Sequence, residues 1–316
     1  MLSYRLYGNW NKTDADSADL NSSIGSTSAP REGVRNKDIS GQLAWKMTDN
    51  QTLTLDLAAS RQGNIYAGDT QYSYDATTTT GNGQYANAAL GMETNRMYRE
   101  SFALTHNADW DWGKSKLVVQ YDDTHNTRIP EGTAGRTEGS IWGTGTSTNA
   151  DGSFIYTTSR LHTFRTNGEV NIPFEWYLPQ TLTAGVEWVD THFTDTASTT
   201  DSATSALATV LTSGDRSKMH SSIASVYLED NMKLTDTTDA AFSLRFDDYN
   251  RSWSSWSPGL NLTQQLGEYF TVKGGIAKAY KTPNLYQNAE GYLLASNGGV
   301  SNSKWSFTIL CIARQW

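Results

Sequence analysis

The sequence is poor in what holds most soluble folds together. Of its 316 residues one is a cysteine, Cys311, which rules out a disulfide within the chain and leaves little for a cysteine-built metal site. Hydrophobic residues reach 37% and prolines number six, so there is little with which to fill a conventional core. No stretch approaches the roughly 18 consecutive apolar residues of a membrane helix. With a mean hydropathy of −0.56, helical spanning is excluded. Positive charge is in the minority, 25 Lys and Arg against 33 Asp and Glu, giving a net charge of −8. Phosphate needs a dense basic stripe, and none is present, which argues against nucleic acid as a partner.

Catalytic and metal motifs are missing as well. The five histidines, His106, His125, His162, His192 and His220, show neither zinc-ligand spacing nor a nucleophile motif. Asp14, Asp16 and Asp19 hint at a calcium loop, but the twelfth position counted from Asp14 is Gly25, where a bidentate Glu is needed. Gly274-Gly275 opens no phosphate loop; in a strand it permits bending or close approach of another backbone. The chain is not expected to be an enzyme. Its start, Met1-Leu2-Ser3-Tyr4-Arg5, has no apolar stretch of the export type and runs straight into strand-like sequence.

What is present is alternation. About eleven segments place apolar side chains on one face and polar ones on the other. From Asp38 to Lys46 one face carries Ile39, Gly41, Leu43 and Trp45; from Thr52 to Ser60 it carries Leu53, Leu55, Leu57 and Ala59. A helix would scatter these residues round its circumference, whereas a strand keeps them together. Weaker versions begin at Ser3, Glu100, Lys116, Leu161, Thr181, Ser222, Ala240, Trp256 and Tyr269. A membrane-spanning strand needs only about 9–11 residues with one apolar face, so low mean hydropathy is compatible with a barrel.

The connections alternate in length. Short links lie near Met47 to Gln51, Asp111 to Ser115, Leu234 to Asp239 and Leu266 to Glu268, several with the Asp, Asn and Gly of tight turns. Long ones, rich in Gly, Ser, Thr, Asn and Asp, lie near Asn11 to Lys37, Arg61 to Arg99, Asp123 to Arg160 and Thr191 to Ser221. Short turns at one end and long loops at the other suit a membrane barrel, with the loops outside the cell. Trp10, Trp45, Trp110, Trp112, Trp176, Trp188 and Trp256 gather near strand ends, as at a membrane interface. Ordinary core packing is the alternative, which Trp112, at a turn, fits least.

Several segments carry a resemblance to a known family: Lys12-Thr13-Asp14-Ala15-Asp16, Asn36-Lys37-Asp38-Ile39, the run from Ser60 to Gln71, Glu93-Thr94-Asn95-Arg96-Met97-Tyr98-Arg99, Arg128-Ile129-Pro130-Glu131-Gly132, and the run from Gly275 to Gln287. In these the chain resembles the TonB-dependent ferric enterobactin receptors. The resemblance implies an all-β, antiparallel up-and-down transmembrane barrel of 22 strands with a plugged lumen, of which about eleven are here. It places the partial barrel with long extracellular loops at 1–294 and a divergent tail, of the kind a shifted reading frame produces, at 295–316. The plug, its TonB-contacting segment and an export signal would precede Met1. Implied partners are a ferric catecholate siderophore, TonB, outer-membrane lipid and lipopolysaccharide, and colicins or phage; the implied location is the bacterial outer membrane. No cofactor is implied, since iron arrives already chelated.

A ferric tris-catecholate is an aromatic anion, so its capture calls for cations and aromatic faces. Arg61, Tyr66, Tyr72, Tyr74, Tyr85, Arg96, Tyr98 and Arg99 fall in or beside one long connection, and Arg128 and Arg136 in the next. These arginines can equally pair with acids or lipopolysaccharide phosphates, and the tyrosines can simply pack the loops. Arg128 is the preferred single residue, because Pro130 restricts the backbone near it. Two other functional classes are open at this point: a carbohydrate-binding β-protein, soluble without detergent, and a passive porin-like barrel.

Overall fold

The computed structural model describes residues 1–15, 32–66, 91–129, 151, 153–195, 218–251, 253–282 and 285, and the backbone of 293–296 and 299–302. The described residues contain no helix. The strands are β1 (Leu2–Thr13), β2 (Gly33–Thr48), β3 (Gln51–Ile65), β4 (Glu93–Trp110), β5 (Gly113–Arg128), β6 (Thr157–Trp176), β7 (Leu178–Asp195), β8 (Lys218–Thr235), β9 (Thr238–Tyr249), β10 (Ser255–Leu266) and β11 (Phe270–Ala277). All eleven form one antiparallel sheet in sequence order, so every connection joins neighbours. A separate pair, β12 (Leu293–Ser296) and β13 (Gly299–Asn302), stands apart from this sheet. The expected divergent tail therefore begins inside β12, and residues 303–316, with Cys311, lie outside the described residues.

Register carries the alternation from strand to strand. Trp45 pairs with Leu53, Leu43 with Leu55 and Gly41 with Leu57, while Gln42 pairs with Asp56 on the opposite face and donates from Nε2 to its Oδ1 at 2.8 Å. The same apolar face runs on through Phe102, Leu104, Leu117, Val119, Val186, Val226, Leu244, Leu260 and Ile276. Protein does not cover it: Val186 and Val226, cross-strand partners, are each 57% exposed. A soluble protein does not leave so broad an apolar face open, whereas a barrel turns it to lipid.

Short turns join β2 to β3, β4 to β5, β8 to β9 and β10 to β11, at the places where Asp, Asn and Gly predict them. A further link, between β6 and β7, consists of Tyr177 alone, with a φ of 68°. Turn residues do not predict it, because Trp176, Tyr177 and Leu178 stand where Asp, Asn or Gly would signal a turn. These turns share one end of the sheet, and around them Trp45, Trp110, Trp112, Trp176 and Tyr269 are exposed. The exposure favours the interfacial reading of the tryptophans over core packing.

The strands are longer than their apolar alternation. Residues 11–13, 33–37, 61–65, 93–99, 123–128, 157–160, 191–195 and 218–221, assigned from sequence to long connections, continue the sheet. Beyond the apolar band both faces of a strand are polar, so the contrast that marks it in sequence vanishes while its backbone pairing goes on.

Candidate functional site

The outer ends of the strands, opposite the short turns, carry most of the described candidates, and register assigns them to two faces. Arg61 on β3 pairs with Tyr98 on β4, which pairs with His125 on β5, which pairs with Arg160 on β6. This row continues the apolar face outward. Arg61 donates from Nη2 to Glu93 Oε2 at 2.5 Å and from Nε to the Tyr98 hydroxyl at 3.4 Å, and its guanidinium lies 5.7 Å from the Tyr98 ring centre. Arg96 donates from Nε to the same Glu93 oxygen at 3.1 Å, and Tyr98 stacks on His125 with centroids 4.6 Å apart. Next along the row, Arg160 donates from Nε to Asp123 Oδ2 at 2.7 Å.

Glu93 reaches both arginines because the register shifts between Asn64 and Ile65 and because residue 63 is glycine. A Cβ at Gly63 would lie 2.0 Å from Glu93 Oε1. The side chain of Glu93 is only 10% exposed, so its charge is answered locally by Arg61 and Arg96. Two of the expected ligand-capturing cations are thus already engaged.

Arg99 and Arg128 belong to the other, polar face. Arg99 pairs with Thr124 and Arg128 with Asn95, which places Arg128 four positions farther out, about 13 Å along the strand. Among the described residues neither is in an ion pair. Tyr66 follows β3, is buried, and makes backbone hydrogen bonds with Met92 and Gly91. Of the remaining candidates, Tyr72, Tyr74, Tyr85 and Arg136 lie outside the described residues. The described arginines and Tyr98 are on strands rather than in loops, for the reason given above.

Sequence reasoning did not find a dense network lower on the polar face. Arg245 on β9 donates to Asp247 at 2.8 Å, to Glu187 on β7 at 3.3 Å and to Ser225 on β8 at 2.8 Å. Arg165 lies 3.6 Å from the other oxygen of Glu187, and Tyr227 donates to Glu169 at 2.8 Å. Past β11, burial pushes the Tyr280 phenol up to about 12, with the neighbouring Asp247 carboxylate adding to the effect. The network was legible only as polar alternation; its pairing depends on register across four strands.

One sheet face is apolar and open, the other polar and cross-linked by charge, with tight turns at one end and interfacial aromatics beside them. This is part of a transmembrane β-barrel of the outer-membrane kind. The profile of the family described as TonB dependent receptor-like, beta-barrel, matches residues 44–305, and the chain belongs to that family. It is 60% identical over 301 residues to a probable TonB-dependent siderophore receptor, PirA, of Acinetobacter baumannii, covering 94% of this chain and 38% of the relative. It is 41% identical over 312 residues to the ferrienterobactin receptor of Escherichia coli K12, covering 94% of this chain and 40% of that protein. The crystal structure of the Acinetobacter baumannii receptor superposes with a TM-score of 0.77 at 57% identity, covering 93% of this chain and 40% of that one. That of a single-residue mutant of the Pseudomonas aeruginosa ferric enterobactin receptor in complex with enterobactin superposes at 0.74 and 40% identity, covering 93% and 41%. The chain thus spans about two fifths of the length of the relatives it matches.

Proposed function

We propose that this chain forms part of an outer-membrane receptor that captures ferric catecholate siderophores and admits them in a TonB-dependent step. The observation that carries the reading is the 60% identity, sustained over 94% of the chain, to a protein named as a siderophore receptor. Names of more distant relatives, ferrienterobactin receptor among them, point to the catecholate class. The polar face supports the same reading by chemistry. Arg99 and Arg128 offer cations without described ion pairs at the mouth of what a closed barrel would enclose, and an anionic chelate needs such groups.

The outward row has a different role in this proposal. Arg61, Arg96 and Arg160 stand above the apolar band and on the same side of the sheet, so they face outer-leaflet headgroups instead of the lumen. The test is a pair of double variants in a closed barrel containing these strands, titrated with ferric enterobactin by fluorescence quenching. Arg99→Ala/Arg128→Ala is expected to weaken binding at least about 100-fold, at about 1.5–3 kcal/mol for each of the two charge-assisted contacts. Arg61→Ala/Arg96→Ala is expected to leave affinity within about twofold. Equal losses from the two pairs would overturn the assignment of faces, and no loss from either would overturn the ligand class.

A further inference from the structure

Three histidines far apart in sequence meet in register. His162 on β6 pairs with His192 on β7, which pairs with His220 on β8. Their rings form a continuous row, stacked for the first pair with centroids 4.9 Å apart and tilted by 33° for the second at 4.4 Å. Asp190 sits two positions before His192 on the same strand and the same face. Its carboxylate takes both partners at once: His192 Nε2 lies 2.9 Å from Oδ2, and His220 Nε2 lies 2.5 Å from Oδ1. One ligand atom from each of Asp190, His192 and His220 falls within 4.8 Å of the others.

We infer that Asp190, His192 and His220 bind a divalent transition-metal ion, Zn2+ or Cu2+, on the outward face of the barrel wall. Two imidazole nitrogens and one carboxylate oxygen suit these borderline cations; Mg2+ and Ca2+ prefer all-oxygen sites. An ion at about 2.0–2.1 Å from each atom holds its ligands roughly 3.3 Å apart in a tetrahedron. The three ligand atoms now lie within 4.8 Å of one another, so binding requires their side chains to turn inward. Both imidazoles are 43% exposed, which leaves a route for the ion and for water at the remaining coordination position. The carboxylate is only 17% exposed and follows Trp188 and Val186 on the lipid side, where an unanswered negative charge is costly. A dication held there answers it and ties β7 to β8 where the apolar band ends.

This site is independent of the siderophore reading, because it lies on the opposite face from Arg99 and Arg128 and uses none of the residues proposed for capture. The experiment takes the full chain within its native barrel, extracted in detergent and stripped of metal. Cu2+ is added for electron paramagnetic resonance and Zn2+ for calorimetry. The expected spectrum shows hyperfine coupling to two imidazole nitrogens. Zn2+ affinity is expected to fall at least about tenfold in His192→Gln/His220→Gln and in Asp190→Asn, with Asp190→Asn keeping the nitrogen coupling. Because the side chains face outward, all variants are expected to keep the wild-type electrophoretic heat-modifiability, and zinc is expected to raise the thermal midpoint of the wild type alone. Coupling to fewer than two nitrogens, or wild-type zinc affinity in the folded double variant, would overturn the assignment.

Discussion

Gly63 shows how a single missing side chain organises charge. The space beside it holds the Glu93 carboxylate, which in turn engages Arg61 and Arg96. Gly63→Val is therefore expected to expel Glu93 and to destabilise the folded protein by about 1–3 kcal/mol, the usual range for overpacking. A urea titration measures it. The cause is checked by repeating the substitution in Glu93→Ala, where the cost is expected to shrink; an undiminished cost would mean that Glu93 is not what the new side chain meets. Tyr280 makes a second statement at this scale. Its phenol titrates near 12 in the folded protein, above the ordinary tyrosine value of 10, with burial as the main cause. The folded state holds that proton more tightly than the unfolded one, so the stability contribution is complete below pH 10 and is lost as pH rises towards 12. Denaturation midpoints between pH 9 and 12 are expected to fall less steeply in Tyr280→Phe than in the wild type.

At the scale of the element, the strands hold where turns permit and register requires. Gly113 opens β5 with a φ of 149°, and a Cβ there would come within 2.2 Å of the Asn171 carbonyl oxygen on β6. Both the backbone conformation and the neighbouring strand exclude a side chain. Gly113→Ala is expected to cost about 1–3 kcal/mol and to loosen the turn between β4 and β5, seen as faster amide exchange at Asp111 and Trp112. Exchange unchanged at that turn would show that the sheet absorbs the clash elsewhere. The β6–β7 link behaves differently. Tyr177 takes up left-handed geometry without being glycine, and the residue is 90% exposed, its ring beside that of Trp176. Interfacial placement of the two rings offsets a conformation that costs on the order of 1 kcal/mol.

On the scale of the whole molecule, β1 and β11 are the edges of the described sheet, since neither pairs with the other. Each edge presents unpaired backbone N–H and C=O groups, which cost several kcal/mol apiece in hydrocarbon. Residues 1–282 expressed by themselves are thus expected to aggregate or be degraded, and to give no heat-modifiable band in membranes. A stable heat-modifiable species from those residues would mean that the edges are satisfied another way, such as by a second copy. Closure with further strands removes both edges at once, which is why the proposed uptake function belongs to a complete barrel and not to this half of the wall.

Much of the architecture was legible in the sequence, because strand alternation is local. Ile39, Gly41, Leu43 and Trp45 announce one face of β2 without reference to any neighbour, and Asp49-Asn50 announces the turn that follows. Family resemblance was legible too, in runs such as Arg128-Ile129-Pro130-Glu131-Gly132. Tertiary pairing alone decided the rest. Arg61 and Arg99 look alike in sequence, yet one belongs to the lipid side and the other to the polar side, because a strand continues through both positions and parity is counted from the apolar band. His162, His192 and His220 show no ligand spacing along the chain; only the registers of β6, β7 and β8 bring them into one row. The sequence alone determined which way each segment divides its polar and apolar residues. Which charges answer one another was decided by hydrogen-bond register between strands, a quantity with no local signature.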